Sequence, residues 1–248
     1  MIRIENLHKS FGNNKVLLGI NLKIEKGESM CIIGQSGSGK SVLIKHMIGL
    51  LKPDEGKIFI DGMEVTGLGE REWMSVRKKF GMLFQGAALF DSLTVGQNVR
   101  FGLERYTDYS DTHIDEIVRD SLEKVGLIGI EHLMPHELSG GMKKRVALAR
   151  AIAYSPEIVL YDEPSTGIDP IRADAINDMI IMLKKEMKIT SVVITHDIIS
   201  AYKVSDRIAM LYQGKIIQTG SPEDIRHSDH PVIQQFIKGE AQGPIENW

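Results

Sequence analysis

The first third of the chain alternates between apolar and polar positions, whereas later segments repeat their apolar residues with helical spacing. MIRIENL and VLLGINLKIEKG alternate, which predicts two half-buried strands. SMCIIG is a short and wholly apolar run, which is typical of a fully buried strand. GKIFIDGMEV and FGMLFQ are two further strand candidates, so this part of the chain is predicted to be rich in β-structure.

Helices are predicted in the middle and in the second half of the chain. In THIDEIVRDSLEKVGL the apolar residues follow helical spacing, and Thr112 with Asp115 resembles a capping pair. A longer helix is predicted to begin at Asp169-Pro170, because proline is favoured in the first turn of a helix.

Apolar strand patterns alternate with these helices. PEIVLYDEP and TSVVITHD predict buried strands, and DRIAMLYQGKIIQTG predicts a hairpin that turns at Gln213-Gly214. Strands that alternate with helices predict an α/β fold whose core is a mixed, largely parallel sheet. The amphipathic segments near each end of the chain predict a second, antiparallel sheet.

We predict a single domain over residues 1–248, in which a helical subdomain is inserted into a catalytic core. The core covers about residues 1–85 and 156–237, and the helical subdomain covers about residues 86–155. Residues 238–248 form a polar tail that contains glycine and proline, and this composition by itself is typical of a frayed end.

Composition excludes several classes of protein. The chain has 248 residues, of which 42% are hydrophobic and 25% charged, which is ordinary for a globular domain. Its net charge of −3 gives no basic field for nucleic acid. Cys31 lies in an apolar run and is expected to be a core residue. Because no apolar run approaches the length of a bilayer span, we expect a soluble intracellular chain that works at a membrane only through a partner.

A phosphate-binding loop is predicted in GQSGSGKS, which has the spacing G-x-x-x-x-G-K-[ST] between a strand and a helix. Glycines let the backbone curl so that consecutive N–H groups face one anion, and the helix directs its positive end there. Lys40 is expected to reach the β- and γ-phosphates and Ser41 to hold Mg²⁺. The predicted phosphate contacts are Gly34, Gln35, Ser36, Gly37, Ser38, Gly39, Lys40 and Ser41.

Two acids end the apolar run IVLYDE, at the carboxyl end of a strand, where open parallel sheets bind ligands. Asp162 is predicted to interact with Mg²⁺ through water or through another ligand of the ion. Glu163 is predicted to be the base that polarises the attacking water. The alternative is an acidic strand end that is merely solvated.

Two more polar residues follow predicted strands. His196 comes after VVIT and is a candidate γ-phosphate contact, although a single histidine is more often a surface or core residue. Gln85 comes after GMLF and is a candidate ligand of Mg²⁺ or of water.

Taken in order, these motifs resemble those of the ATP-binding-cassette (ABC) ATPases over nearly the whole chain. In that family GQSGSGKS corresponds to Walker A, Gln85 to the Q-loop, LSGGM to the signature, IVLYDE to Walker B, STGID to the D-loop and His196 to the H-loop. The resemblance implies an ATPase that uses ATP and Mg²⁺. It also implies that Phe11 stacks on adenine, for which the alternative is ordinary strand packing.

The resemblance further implies a head-to-tail homodimer that encloses two ATP molecules. Ser139, Gly140 and Gly141 would then bind the γ-phosphate held by the second copy, at the N-terminus of a helix. Asp169 would cross the interface, and it is equally suited to cap the helix that follows it. Behind the signature, Met142 is expected to face inward, with Lys143, Lys144 and Arg145 largely outward.

A narrower resemblance is to the ATPases of the maintenance-of-lipid-asymmetry (Mla) phospholipid transporters. It is carried by GMLFQGAALFDSLTVGQNV, by ELSGGM, where Met142 replaces the usual glutamine, and by the tail FIKGEAQGPI. It implies a membrane permease, a lipid-binding single-span protein, a small cytoplasmic regulatory protein, and a position on the cytoplasmic face of the inner membrane. It also implies a tail that reaches the neighbouring ATPase.

The permease is expected to dock near Ala87–Leu93, where apolar residues follow the Q-loop. The alternative is that these residues fill the core of the helical subdomain. For the whole chain, the other functions considered are an importer of amino acids or other small solutes, a soluble ABC protein acting on DNA or ribosomes, and a nucleotide-binding regulator without turnover.

Overall fold

The structure is a computed structural model that describes residues 1–245. Over these residues the strands are β1 (Ile2–Phe11), β2 (Asn14–Ile24), β3 (Ser29–Ile33), β4 (Glu55–Ile60), β5 (Met63–Glu64), β6 (Phe80–Leu83), β7 (Ile158–Asp162), β8 (Thr190–Thr195), β9 (Arg207–Tyr212) and β10 (Lys215–Gly220). The helices are α1 (Lys40–Met47), α2 (Glu70–Arg77), α3 (Val95–Tyr106), α4 (Asp111–Lys124), α5 (Gly140–Ile152), α6 (Pro170–Met187), α7 (Ile198–Val204), α8 (Pro222–Arg226) and α9 (Pro231–Lys238).

The chain divides into two compact units. The first unit comprises Met1–Trp73 and the chain from Val192 onward, and the second comprises Met74–Ser191. No helix within residues 1–245 is both long enough and apolar enough to cross a membrane.

The first unit contains the predicted antiparallel sheet. Its strands lie in the order β2-β1-β4-β5, with Ile2 of β1 opposite Ile24 of β2 and Ile60 of β4. Ile2 and Ile4 are buried, because alternate residues of a strand point to the same face. The alternating pattern at the start of the chain is therefore confirmed as a half-buried sheet.

The same unit also contains consecutive strands of the second sheet, in the order β10-β9-β3-β8. β3 pairs in parallel with β9, and β9 pairs with β10 in the predicted hairpin. All five residues of β3 are buried, as its apolar sequence predicts. Ser29 ties this strand in place, since its N–H donates to the Asp206 carboxylate at 2.8 Å and its hydroxyl donates to the Val204 carbonyl at 2.6 Å.

In the second unit, β6 and β7 pair in parallel, with Phe80 opposite Ile158. Helices α3, α4 and α5 pack on one another. Tyr154 links helices to strands, because its buried hydroxyl donates to the Phe80 carbonyl. Parallel pairs and an antiparallel sheet occur together with helices, so the predicted mixed α/β fold is confirmed.

Two local expectations are wrong. Helix α4 is capped by Ser110, whose hydroxyl accepts from the His113 N–H at 3.4 Å, and not by the pair of Thr112 and Asp115. The tail is expected from its composition to fray, but it packs against the fold up to Ile245. The side chain of Ile245 is buried, and its N–H donates to the Gln235 side chain at 2.7 Å. The three residues after Ile245 lie outside the described part of the chain.

His46 makes the stability of the first unit dependent on pH. This side chain of α1 is fully buried, with Nδ1 2.7 Å from the Val42 carbonyl oxygen. Burial lowers the pKa of His46 below its usual 6.5. Below about pH 6.5, His46 therefore binds a proton in the unfolded chain but stays neutral in the folded chain. The free energy of unfolding falls as the pH drops below that value.

We predict that His46→Gln weakens this dependence. Between pH 7.5 and 5.5, the wild-type free energy of unfolding should fall more than that of the variant, by about 1 kcal/mol. Urea denaturation at both pH values measures the difference, with His136→Gln, at an exposed position, as control. Equal falls in wild type and His46→Gln would contradict the assignment.

Candidate active site

The predicted phosphate loop connects β3 to α1 in the first unit. Gly34, Gly37 and Gly39 have φ angles of 154°, 79° and 102°, in the region that favours glycine. A Cβ at Gly34 would lie 2.3 Å from the carbonyl oxygen of Leu211, so glycine is also required there by contact. The loop thus has the tight curvature that turns backbone N–H groups toward a single anion.

Lys40 and Ser41 begin α1, directly behind this loop. Lys40 is buried, and its Nζ donates to the carbonyl oxygens of Gly34 at 2.7 Å and Gln35 at 2.8 Å. These contacts fold the lysine back over its own loop, so the ammonium charge lies where the positive end of the helix also points.

Phe11 and His196 are further predicted site residues in the first unit, and both are exposed. Phe11 ends β1 with 48% of its surface exposed, and the Lys9 ammonium lies 5.6 Å from the ring centroid. The ring face is therefore open to a planar group. His196 follows β8 directly, and the next residue, Asp197, caps α7 by accepting from the Ile199 N–H at 3.0 Å.

In the second unit, Asp162 ends β7 and Glu163 follows it, and both side chains are buried. Glu163 has a φ angle of 52°, a left-handed conformation that costs a residue with a Cβ about 1–3 kcal/mol. Thr166 stabilises this turn at two points. Its hydroxyl donates to Oε2 of Glu163 at 3.0 Å, and its N–H donates to the Glu163 carbonyl at 3.2 Å. The carboxylate therefore has a fixed orientation.

Gln85 follows β6 and is exposed. Beyond the intervening Gly86, Ala87 and Ala88 are both left-handed, with φ angles of 63° and 48°. The guanidinium of Arg150, near the end of α5, donates to both of their carbonyl oxygens, at 2.8 and 2.6 Å. The backbone beyond Gln85 is thus held in an unfavourable conformation by one side chain.

The segment Ala87–Leu93 is partly core and partly surface. Ala87 is 3% exposed, whereas Phe90 is 43% exposed and contacts the similarly exposed Phe101, with ring centroids 4.7 Å apart and the two rings tilted by 44°. The fully buried Asn98 fixes the segment by accepting from the Phe90 N–H and donating to nearby carbonyl oxygens. Filling of the core therefore accounts for Ala87, whereas docking of a permease on the exposed residues stays a prediction.

The signature residues lie at the N-terminus of α5. Ser139 is the N-cap, and its hydroxyl accepts from the Met142 N–H at 3.3 Å, which leaves the hydroxyl proton available to donate. Gly140 and Gly141 begin the helix, and a Cβ at Gly140 would meet nothing within 4 Å. The N-terminus of α5 is therefore accessible at Gly140.

Asp169 is the N-cap of α6, with Oδ1 accepting from the Arg172 N–H at 3.1 Å and Oδ2 3.3 Å from Nε of Arg172. The capping interpretation of this residue is confirmed. One carboxylate oxygen of Asp169 is therefore used by the cap, and about half of the side-chain surface is exposed.

The expectation for Lys144 is wrong, because this residue is buried and not outward. Its Nζ donates to the carbonyl oxygens of Pro164 at 2.7 Å and Glu163 at 3.3 Å. Sequence reasoning also missed the backbone contacts of Thr166, Arg150 and Asn98. One signal for Lys144 was available, since it lies one helical turn before Leu148 on a face that is buried.

Comparison with known proteins identifies relatives of this chain. The ABC transporter family matches residues 17–166. The intermembrane phospholipid transport system ATP-binding protein MlaF of Haemophilus influenzae is 40% identical, over 99% of this chain and 93% of that protein. The chloroplastic protein trigalactosyldiacylglycerol 3 of Arabidopsis thaliana is 42% identical, over 99% of this chain and 75% of that protein.

A third relative and two solved structures extend the comparison. The probable ribonucleotide transport ATP-binding protein mkl of Mycobacterium tuberculosis is 39% identical, over 98% of this chain and 68% of that protein. The dimeric ATP-binding cassette MJ0796, in a post-hydrolysis state bound to ADP and Pi, superimposes with a TM-score of 0.83 at 32% identity, covering 90% of this chain and 99% of that chain. Clostridium perfringens cbiO1, part of the ABC transporter complex cbiONQ, superimposes with a TM-score of 0.84 at 29% identity. The match covers 97% of this chain and 94% of that chain.

We predict that Asn98→Ala destabilises the second unit by about 2–3 kcal/mol, because the Phe90 N–H and the carbonyl oxygens of Phe90, Leu93 and Thr94 each lose a hydrogen bond to the Asn98 side chain. Urea denaturation measures the change. Asn98→Asp serves as the matched variant, since it keeps the acceptor for Phe90 but puts a carboxylate against the carbonyl oxygens of Leu93 and Thr94. A loss below about 0.5 kcal/mol for both variants would show that the segment is held by other contacts.

Proposed function

The chain belongs to the ABC transporter family, and on that basis we propose that it is the ATP-hydrolysing subunit of a membrane complex that transports phospholipid. One observation carries the catalytic part of the proposal. The family's phosphate loop, with Lys40 buried against it, and the family's buried acid Glu163 both occur in this chain. The phospholipid part rests on the MlaF relative, which matches nearly the full length of both proteins.

We assign phosphate binding to residues 34–41. Their curved backbone presents N–H groups to the β- and γ-phosphates, and Lys40 adds its charge. Backbone donors that are already in place lose no orientational freedom when the transition state forms, so they stabilise developing charge effectively. Phe11 is the adenine contact in this proposal, supported by its exposed ring.

Mg²⁺ fits the oxygen donors available. Among residues 1–245 no group of three or more His, Cys, Asp or Glu side chains is placed to bind a metal ion. Mg²⁺ keeps several waters and binds mainly through substrate phosphates and one or two protein oxygens, so it does not need such a group. We assign Ser41, Gln85 and Asp162 to hold the ion, which neutralises phosphate charge when bound.

Glu163 is the proposed general base for the attack of water on the γ-phosphate. Its buried carboxylate accepts a hydrogen bond from the Thr166 hydroxyl, which orients it, and an ionised carboxylate can accept several hydrogen bonds at once. His196 is proposed to contact the γ-phosphate, for which its exposure at the end of β8 gives access. Together with Lys40 and Gln85, these residues form the proposed catalytic set.

The proposed active assembly is a head-to-tail homodimer. It is supported by the dimeric state of the related cassette MJ0796, which carries ADP and Pi. In the dimer, Ser139, Gly140 and Gly141 would bind the γ-phosphate held by the second copy, because these residues lie at a helix N-terminus where Ser139 and Gly140 are exposed and Gly141 is partly exposed. Asp169 would reach across the interface with the carboxylate oxygen that does not cap α6.

The further partners are proposed from the resemblance of the motifs to the Mla ATPases. A membrane permease would dock near Ala87–Leu93, where Phe90 and Phe101 form an exposed aromatic pair. A lipid-binding single-span protein and a small regulatory protein would complete the complex, on the cytoplasmic face of the inner membrane. The net charge of −3 favours no nucleic-acid partner.

Ribonucleotide is a second candidate for the transported substrate, because of one finding. The relative mkl carries the name of a ribonucleotide transporter at 39% identity, close to the identity of MlaF. The same ATPase chemistry would then serve a soluble solute. An amino-acid importer has no corresponding support among these relatives.

Glu163→Gln should lower ATP turnover by about 10²- to 10⁴-fold while ATP binding persists, because the amide cannot accept the proton of the attacking water. Phosphate release and nucleotide binding measure the two effects. Glu157→Gln is the matched control, since Glu157 is exposed just before β7. Turnover near the wild-type rate in Glu163→Gln would remove Glu163 from the role of base.

Purification of the membrane complex through a tag on this chain should retain phospholipid after exchange into lipid-free detergent. Mass spectrometry of the extracted lipid measures it, against an unrelated membrane protein purified in the same way. Recovery of a soluble solute-binding protein, with ribonucleotide-dependent ATP turnover and no retained phospholipid, would favour the second cargo.

A further inference from the structure

A buried lysine on the signature helix lies beside the proposed base. Lys144 is 6% exposed, and its Nζ donates to the carbonyl oxygens of Glu163 and Pro164. The helix, the two carbonyls and the strand that leads to them all belong to the second unit. This contact is therefore internal to one compact unit.

The lysine is an unusual choice for this position if packing alone decides it. Burial lowers the pKa of the Lys144 ammonium, and the negative charge of Glu163 opposes that shift. A methionine has a similar length and would fill the same space without the cost of burying a charge. The ammonium is therefore expected to contribute through its hydrogen bonds.

Those hydrogen bonds act on a strained piece of backbone. With Glu163 at a φ angle of 52°, the chain turns so that two successive carbonyl oxygens accept from one ammonium. A left-handed glutamate persists only where surrounding contacts compensate its cost. Thr166 supplies contacts on one side of the turn and Lys144 supplies the others.

We propose that Lys144 is a positioning residue, which holds the backbone of Glu163 in the left-handed turn that orients its carboxylate toward the attacking water. The inference rests on the proposed role of Glu163 as the base. Because Lys144 lies one turn beyond Ser139–Gly141 on α5, the same helix carries the signature and holds the base. A displacement of α5 is then transmitted to Glu163 of the same chain.

The test is the kinetics of ATP hydrolysis by the full chain in its complex, with turnover normalised to the measured number of nucleotide-binding sites. Lys144→Met should lower kcat by about 10- to 100-fold, because a misplacement on the order of 1 Å disturbs the attack geometry. KM for ATP should change by less than about twofold, since phosphate binding is untouched. Lys144→Arg should restore most of kcat, because it again donates to carbonyl oxygens.

Lys143→Met is the matched control, since it removes the neighbouring lysine, which is partly exposed, and should keep kcat. Lys144→Gln, with a donor on a shorter stem, should also lower kcat, and it gives the same readout if Lys144→Met does not fold. An unchanged kcat in folded Lys144→Met or Lys144→Gln overturns the inference. A fall in kcat that Lys144→Arg does not restore also overturns it.

Failure of the inference is distinguishable from failure of the proposed function. If Glu163→Gln is inactive and the Lys144 variants hydrolyse ATP normally, Glu163 remains the base and only the positioning role is lost. If Glu163→Gln hydrolyses ATP normally, the proposed base is wrong whatever the Lys144 variants show. If the Lys144 variants have fewer nucleotide-binding sites but an unchanged kcat per site, Lys144 has a structural role and the positioning role is overturned.

Discussion

The first unit depends on a loop that has to curl more tightly than side chains with a Cβ allow. Gly34, at the end of the buried strand β3, lies where a Cβ would collide with the Leu211 carbonyl of β9, 2.3 Å away. Glycine at position 34 is therefore required both by the close packing of β3 against β9 and by the conformation of the loop. Once the loop is formed, Lys40 folds over it and α1 extends behind it.

The second unit likewise depends on one residue in an unfavourable conformation, the acidic residue Glu163. Glu163 leaves β7 in a left-handed conformation, and hydrogen bonds from Thr166 and Lys144 offset the cost. The same device recurs beyond Gln85, where Arg150 holds two left-handed alanines. Lys144 and Arg150 are both on α5, so one helix begins with the signature and restrains the backbone at two proposed functional positions.

Much of this was predictable from sequence, because hydrophobic periodicity reports burial and motif spacing reports loop geometry. The apolar runs of β3 and β7 predicted buried strands, and the glycine spacing predicted the curved loop. Periodicity says less about buried polar contacts to backbone, because the helical spacing of Lys144 before Leu148 indicates burial but not which backbone atoms the side chain meets. Lys144 stands in a run of three basic residues that resembles a solvated face, and only the fold shows that its ammonium meets two carbonyl oxygens. Asn98 was missed for the same reason, as its partners are backbone atoms of a loop.

We propose that this ATPase completes each nucleotide site with a second copy of itself. A crystal structure of the chain with Mg²⁺ and a non-hydrolysable ATP analogue tests this assembly most directly. We expect each γ-phosphate to lie within hydrogen-bond distance of Lys40 Nζ of one copy and Ser139 Oγ of the other. A γ-phosphate bound by Lys40 and Ser139 of the same copy, or lying away from residues 34–41, would contradict it.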